Sequence, residues 1–331
     1  MSSPESDRRL PGLRAALDDD HIRRAFAGCE NLTAEFSDLA ETEIRHELIK
    51  YVPGKRGVVA YYVKESESSE AQRWIGKVYR KDRGALIFQH LQSLWHIGVE
   101  QSAPGAGLGM PRPLAFIHDL GMLLQEAVPG RPLSEFSTEC DLLAAMHLTG
   151  ANLARLHGLA VSFGETRTLD HHLSKYCHPG PQALMEAQPK LAPMVSEVID
   201  GIRHEESHYD CATCAVHGDV NLTQVFVTPE RAFFIDFDGF CRAHAALDVG
   251  NFIVTLKVRF VQESGILVQA FLDSYLDRAP AAGIVDLHAY QAFAYLRRAM
   301  ICFRSRANEG WLPQARHLLE QALAALKGEE A

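Results

Sequence analysis

The stretch from Val216 to Gly239 reads VHGDVNLTQVFVTPERAFFIDFDG and holds the residues best suited to chemistry. An apolar approach ends in His217-Gly218-Asp219, and Gln224 stands five positions after that aspartate. A short apolar strand (Val225 to Val227), a turn at Pro229 and a second strand (Ala232 to Ile235) then lead into Asp236-Phe237-Asp238. The hairpin brings Asp219 and Asp236 to one end of a small sheet. Phosphoryl transfer needs such a pair. One carboxylate, here Asp219, accepts or orients the proton of an attacking hydroxyl. The other, Asp236, holds Mg2+ against the phosphates of ATP, and the amide oxygen of Gln224 supports a second metal position. The plainer alternative is two turn aspartates flanking a hairpin, since aspartate is common in turns.

The segment resembles the aminoglycoside phosphotransferase family and its relatives of protein-kinase-like fold, whose pattern is H-G-D-x-x-x-x-N, a strand, then I-D-[FW]. Gln224 stands where that pattern has Asn. It keeps the amide oxygen but moves it by one methylene, and hard cations accept such carbonyl ligands. The resemblance extends to Glu126, Gly130 and Leu133, which match E-x-[VP]-x-G-x-x-L, and to L-A-x-L-H at Leu153 to His157. It implies an α+β, two-lobe fold, with a small antiparallel sheet lobe and a larger, mainly helical lobe. It also implies ATP and Mg2+ as cofactors and a small-molecule hydroxyl acceptor (an aminoglycoside, sugar or amino alcohol). By the same resemblance, a hinge at Glu126 to Val128 meets the adenine edge, His217 braces the catalytic loop, and Asp238 and Asp248 support it.

The elements that must position these groups are legible upstream. Residues 43–51 and 57–64 alternate and carry β-branched and aromatic side chains, which predicts a hairpin closed by Pro53-Gly54-Lys55-Arg56-Gly57. In a kinase-like lobe, Gly54 and Gly57 would let the backbone approach nucleotide phosphates, and Lys55 or Arg56 would meet their charge. An ordinary basic turn is the alternative. Lys77 lies mid-strand in residues 74–80. It is either a surface lysine or the one that holds the α- and β-phosphates. The helix expected over 83–96 has no acidic residue between Asp82 and Glu100 to pair with Lys77, which leaves Gln89 or Gln92 as hydrogen-bond partners. Ala103 to Gly109 imitates a glycine-rich nucleotide loop, but Pro111 and Pro113 leave no helix N-terminus to receive a phosphate, so a surface loop is expected. A second hairpin is predicted at 113–117 and 122–128. A helix is predicted at 139–158, capped by Thr138 and Asp141, and further helices at about 251–260, 262–277, 286–305 and 312–326. His171, His172 and His178 read as surface histidines.

The 331 residues divide into an N-terminal extension (1–40) with a short helix near Asp20 to Gly28, a nucleotide-binding lobe (41–126) and a catalytic, acceptor-binding lobe (127–331). The extension is expected to pack on the outside of the first lobe. Net charge is −9, with 16 Lys+Arg and 18 Asp+Glu in residues 1–130 against 17 and 24 in residues 131–331. No basic tract points to nucleic acid, and the acidic second half is compatible with a cationic acceptor. No apolar run suits a membrane span or a signal core, so a cytoplasmic monomer or homodimer is expected. Between Asp236 and Asp248 there is no Ser, Thr or Tyr and no A-P-E motif, which argues for a small-molecule acceptor rather than a regulated protein kinase. Two other classes stay open. One is a kinase-fold protein that binds nucleotide or ligand without turnover. The other is a zinc-supported scaffold built on His208, Cys211, Cys214 and His217.

Overall fold

A computed structural model describes residues 4–34, 39, 42–64, 71–80, 83–103, 105–137, 139–206, 212–279, 287–306 and 309–329. The chain divides into two compact units, residues 1–129 and 130–331.

The first unit begins with helices α1 (Pro11–Ala16), α2 (Asp19–Ala27) and α3 (Glu30–Thr33). Strands β1 (Glu43–Val52), β2 (Arg56–Lys64) and β3 (Gln72–Tyr79) follow, then helix α4 (Arg83–Trp95) and strands β4 (Pro113–Ile117) and β5 (Met122–Glu126). The five strands form an antiparallel sheet in the order β1-β2-β3-β5-β4. Successive strand residues face opposite sides, and the two faces have different partners. Tyr61, Val63, Trp74, Val78, Met122 and Leu124 are buried together with Leu10, Leu13, Ile22 and Phe26 of the N-terminal segment. Phe26 sits edge-on to Tyr61 at 5.3 Å and tilted against Trp74 at 5.5 Å. The N-terminal residues are therefore not an outer addition: they supply more than a third of the buried residues of this core, and burying Phe26 alone contributes roughly 1.5–3 kcal/mol.

The opposite face of β3 carries Ile75, Lys77 and Tyr79. Helix α4 packs on this side, with Phe88 against Phe116 (6.3 Å) and Gly84 close to Tyr79. Lys77 pairs in register with Val58 and Leu123 and is buried, while Gln89 and Gln92 of α4 are exposed. The segment expected as a surface loop is only half so. Gly105 and Ala106 are exposed, but Gly107 to Met110 are buried, and Leu108 N–H donates to Gly98 O at 2.6 Å. The apolar Leu108 and Met110 draw that part of the chain inward.

The second unit holds β6 (Arg131–Pro132), α5 (Glu139–His157), α6 (Leu169–Tyr176), α7 (Pro181–Ala187) and α8 (Ala192–Glu206). Four short strands follow, β7 (Cys214–Val216), β8 (Val225–Val227), β9 (Ala232–Phe234) and β10 (Cys241–Ala243), and then α9 (Ala246–Arg259), α10 (Ser264–Leu276), α11 (Leu287–Ser305) and α12 (Trp311–Leu326). The strands make two small sheets, β6-β8-β9 and β10-β7. Helix α9 starts at Ala246, earlier than its apolar period suggested, and this places Asp248 in its first turn. Phe252, Phe260, Phe271, Tyr275, Phe293 and Tyr295 are all buried. His172 is buried too, contrary to the expectation of a surface histidine. It faces Tyr176 (4.9 Å), Phe293 (6.1 Å) and the Cys241 thiol (3.9 Å), whereas His171 is half-buried and His178 exposed. Thr138 of the expected helix cap lies outside the described residues. Asp141 pairs with Arg131 at 3.7 Å. Among the described residues no helix is long and apolar enough to cross a membrane.

Candidate active site

Asp219, Gln224 and Asp236 are drawn together by the backbone of Ile235. Its N–H donates to Gln224 O at 2.9 Å, and its carbonyl accepts a hydrogen bond from His217 Nε2 at 2.9 Å. One residue, through the two peptide groups that flank it, thus ties the loop before Asp219 and the start of β8 to the position preceding Asp236. The Gln224 amide nitrogen donates to Asp219 Oδ2 at 3.1 Å, and its Oε1 is buried with no hydrogen-bond partner among the described residues. An unpartnered amide oxygen next to the Asp219 carboxylate, with Asp236 directly after the residue that bonds Gln224 O, offers the hard oxygen donors that Mg2+ or Ca2+ prefers, so these residue types fit the cation that the motif implies. Asp236 is held at φ 67°, in the left-handed region. Asp tolerates that region better than most residues, and such conformations gather at functional sites.

Gly218 is required by how closely two loops meet. Its φ is +80°, and a Cβ there would lie 2.4 Å from Gly239 O. The H-G-D turn and the D-F-D-G turn therefore touch backbone to backbone. Arg167 fastens the second turn: its Nη1 donates to Gly239 O at 3.2 Å and its Nε to Glu165 Oε2 at 2.9 Å. Asp238 lies half-buried in the short 3-10 turn Phe237–Gly239.

Asp248 fastens the first turn. Its Oδ2 accepts from His217 N–H at 2.6 Å and its Oδ1 from Gly218 N–H at 2.8 Å. Oδ2 also meets His157 Nε2 at 3.3 Å, and His157 Nδ1 meets Tyr275 OH at 2.7 Å. The geometry assigns Nε2–H of His157 as donor to the carboxylate and Nδ1 as acceptor from the phenol. Burial pushes the Asp248 carboxyl up, but the His157 and His217 bonds outweigh it and hold the group below the ordinary carboxylate range. Asn251, one turn further along α9, donates from Nδ2 to Val220 O at 2.7 Å, directly after Asp219.

In the first unit, the Gly54 N–H donates to Asp7 Oδ2 at 2.6 Å, and Tyr51 OH donates to the same oxygen at 2.8 Å. A Cβ at Gly54 would meet the Arg9 side chain, and one at Gly57 would meet Leu13. Both glycines thus admit the N-terminal segment. Lys55 is exposed and Arg56 half-buried. Glu126 pairs with Arg112 at 3.4 Å. The N–H groups of Glu126 and Ala127 donate to Arg112 O and Arg73 O, and that of Val128 has no partner among the described residues.

The sequence reading missed His157, Asn251, Arg167 and a further residue, Arg297, whose Nη2 lies 2.7 Å from Asp219 Oδ1. The L-A-x-L-H match was the one signal that could have found His157. The other three are far from the motif in sequence. The zinc cluster gains nothing here. His208 and Cys211 lie outside the described residues, and Cys214 is a half-buried thiol, pushed up to about 12 by desolvation, that donates to Ala243 O. No group of three or more His, Cys, Asp or Glu among the described residues is arranged for a metal.

One pH effect follows from the packing beside this site. Burial first, and then Arg167 and His171, push His172 down to about 4 from an ordinary 6.5. The fold keeps it neutral while the unfolded chain protonates it, so stability is unaffected above pH 6.5 and falls as pH drops from 6.5 towards 4. The loss is about 3 kcal/mol over that window. Urea unfolding at pH 7 and pH 4.5 should show that slope flattened in His172→Gln.

Residues 48–292 match the phosphotransferase enzyme family. No curated protein sequence matches the chain. The fold is similar to that of a choline/ethanolamine kinase family protein from Mesorhizobium loti (14% identity, 93% of this chain and 94% of that one, TM-score 0.60). It is also similar to a thermostable mutant of aminoglycoside phosphotransferase APH(4)-Ia in ternary complex with AMP-PNP and hygromycin B (14%, 89% and 96%, TM-score 0.59). A third similar structure is amicoumacin kinase hAmiN in complex with AMP-PNP and Ca2+ (13%, 86% and 89%, TM-score 0.58). At such identities the likenesses establish the fold, and the match over residues 48–292 establishes the kinship: this chain belongs to the phosphotransferase enzyme family.

Proposed function

We propose that the protein transfers the γ-phosphoryl group of ATP to a hydroxyl of a small molecule. The acceptor oxygen attacks the γ-phosphorus, its proton passes to Asp219, the bond from the γ-phosphorus to the β,γ-bridging oxygen breaks, and ADP leaves. The observation that supports this reading is the backbone of Ile235, whose N–H bonds Gln224 O and whose carbonyl accepts from His217, so that the H-G-D loop and Gln224 are tied to the residue before Asp236. Each oxygen of Asp219 already accepts one partner, Arg297 or Gln224, but a carboxylate oxygen has two lone pairs and can take a hydroxyl as well. Asp236 and Gln224 would hold the divalent cation, whose chemistry is to neutralise phosphate charge. Lys77 would meet the α- and β-phosphates, the Gly54-Lys55-Arg56 turn the phosphate charge, and the free Val128 N–H beside Glu126 the adenine edge. Nucleotide and metal use is consistent with the similar folds solved with AMP-PNP and, in one case, Ca2+.

The test is ADP formation from Mg-ATP across a panel of aminoglycosides, amino alcohols, sugars, hydroxy acids and nucleosides. One acceptor class should raise the rate. EDTA should abolish the increment, and Asp236→Asn, which suits the left-handed backbone there, should lower it at least about 100-fold. Stabilisation by Mg-ATP with no acceptor-dependent ADP anywhere in the panel would instead favour binding without turnover.

A further inference from the structure

Helix α11 runs from Leu287 to Ser305 without an acidic residue and presents Arg297 and Arg298 in succession. Arg297 reaches Asp219 Oδ1 at 2.7 Å, with the two side chains 21% and 33% exposed. Arg298 turns the other way. Its Nη2 donates to Thr255 Oγ1 at 2.5 Å, and its Nε is buried without a partner among the described residues. No carboxylate pairs with it among the described residues. Burial, and then the neighbouring Arg297, pull its pKa below the ordinary guanidinium value. Of this Arg-Arg step, only Arg297 has a carboxylate partner among the described residues, and that partner, Asp219, is the carboxylate that the reaction needs. A buried cation short of counter-charge is costly unless an anion completes it. Moreover, with Arg297 on Oδ1 and Gln224 on Oδ2, an acceptor hydroxyl must share its carboxylate oxygen with a standing donor, and release of Arg297 would leave Oδ1 to the hydroxyl.

Resting on the phosphotransferase reading above, we propose that Arg297 is the residue that binds the acceptor's anionic group. The acceptor carries a carboxylate or phosphate near its reacting hydroxyl, and that group draws Arg297 away from Asp219. Guanidinium is the side chain that matches either anion with two parallel N–H bonds. The exchange conserves ion pairing: the acceptor's anion replaces Asp219 as partner of Arg297, and Asp219 Oδ1 then turns to the hydroxyl. Arg298 adds positive field from behind and, through Thr255 and its bond to Asn251 O, belongs to the same network that holds Val220. An acceptor without the anion leaves Arg297 on the base. The site thus departs from the acidic second half of the chain, which was compatible with a cationic acceptor.

The experiment uses acceptor pairs that differ in charge: glycerate with glycerol, gluconate with glucose, and glucose 6-phosphate with glucose. Binding to the full-length protein by calorimetry and ADP formation from Mg-ATP are both measured. At least one charged member should bind at least about tenfold tighter than its neutral partner and be turned over preferentially. The carboxylate and phosphate pairs report which anion is read. Arg297→Gln should remove the discrimination, chiefly by raising KM for the charged acceptor, and Arg297→Lys should restore part of it. The idea is overturned if no charged member is bound or turned over better than its partner. It is equally overturned if Arg297→Gln raises KM for ATP and not for the acceptor, which would put Arg297 on the nucleotide. Binding of a charged member that depends on Arg297, with no ADP formed, would sink the phosphotransferase reading and leave this one standing.

Discussion

Asp219→Asn is expected to lower kcat by about 100- to 10,000-fold with whichever acceptor the wild-type protein uses, the usual span for removal of a positioned general base. Binding of Mg-ATP should stay within about threefold, because Asp219 is assigned to the hydroxyl and Asp236 to the metal. The substitution is close to isosteric, and Asp219 is part-exposed at a loop, so the fold should be retained. Locally it has two consequences. The amide cannot serve as a proton acceptor as the carboxylate does, and its NH2 is set against either the Gln224 amide nitrogen at 3.1 Å or the Arg297 guanidinium at 2.7 Å. Single-turnover phosphoryl transfer separates these from nucleotide binding. A rate within threefold of wild type would show that no proton is taken at Asp219, and the base would have to be sought elsewhere. A loss seen equally in the nucleotide dissociation constant would instead assign Asp219 to the metal.

How far the sequence carries depends on whether a partner is local. Asp219, Gln224 and Asp236 sit on one hairpin, so strand pairing brings them together, and the spacing could be read directly. The alternating strands of the first unit were equally plain, because period-two patterning is a local signal. What was illegible is long-range. His157 lies in a helix whose apolar stripe explains it as core, and only the fold shows that its ring stands between Tyr275 and Asp248. Arg297 and Arg298 read as two more charges on a long helix. Nothing in their neighbours announces that one reaches Asp219 and the other is buried. The N-terminal residues failed for a different reason. Leu10, Leu13, Ile22 and Phe26 are spread over helices too short to show a clear period, so their joint burial on the sheet, and the hold of Asp7 on the Gly54 turn, emerge only in three dimensions. Gly54 and Gly57 were considered for approach to phosphate. In the fold their missing side chains make room for Arg9 and Leu13.

The largest loss of stability should come from Asp248→Ala. The carboxylate is 1% exposed and accepts from the N–H groups of His217 and Gly218 and from His157. Removing it leaves two backbone donors and one imidazole without their partner, in a place water does not reach. Deleting one member of a buried charged network of this kind costs about 3–5 kcal/mol, which for a unit of this size lowers Tm by on the order of 10 °C. Asp248→Asn should be nearly as harmful, since an amide presents one NH2 to a cluster of donors. The sign of the pH dependence follows from the lowered carboxyl pKa. The contribution is complete above the unfolded-state value near 4 and is lost only as pH falls through the still lower folded value. The difference in unfolding free energy between wild type and Asp248→Ala should therefore be full at pH 7 and shrink in strong acid. Because the same carboxylate sets the backbone that precedes Asp219, activity should fall with stability, and added Mg-ATP should not recover the rate. A variant that unfolds like wild type would mean that His217 and Gly218 N–H find other acceptors, and that the remaining contacts of the turn, among them Ile235 O and Asn251, suffice to hold it.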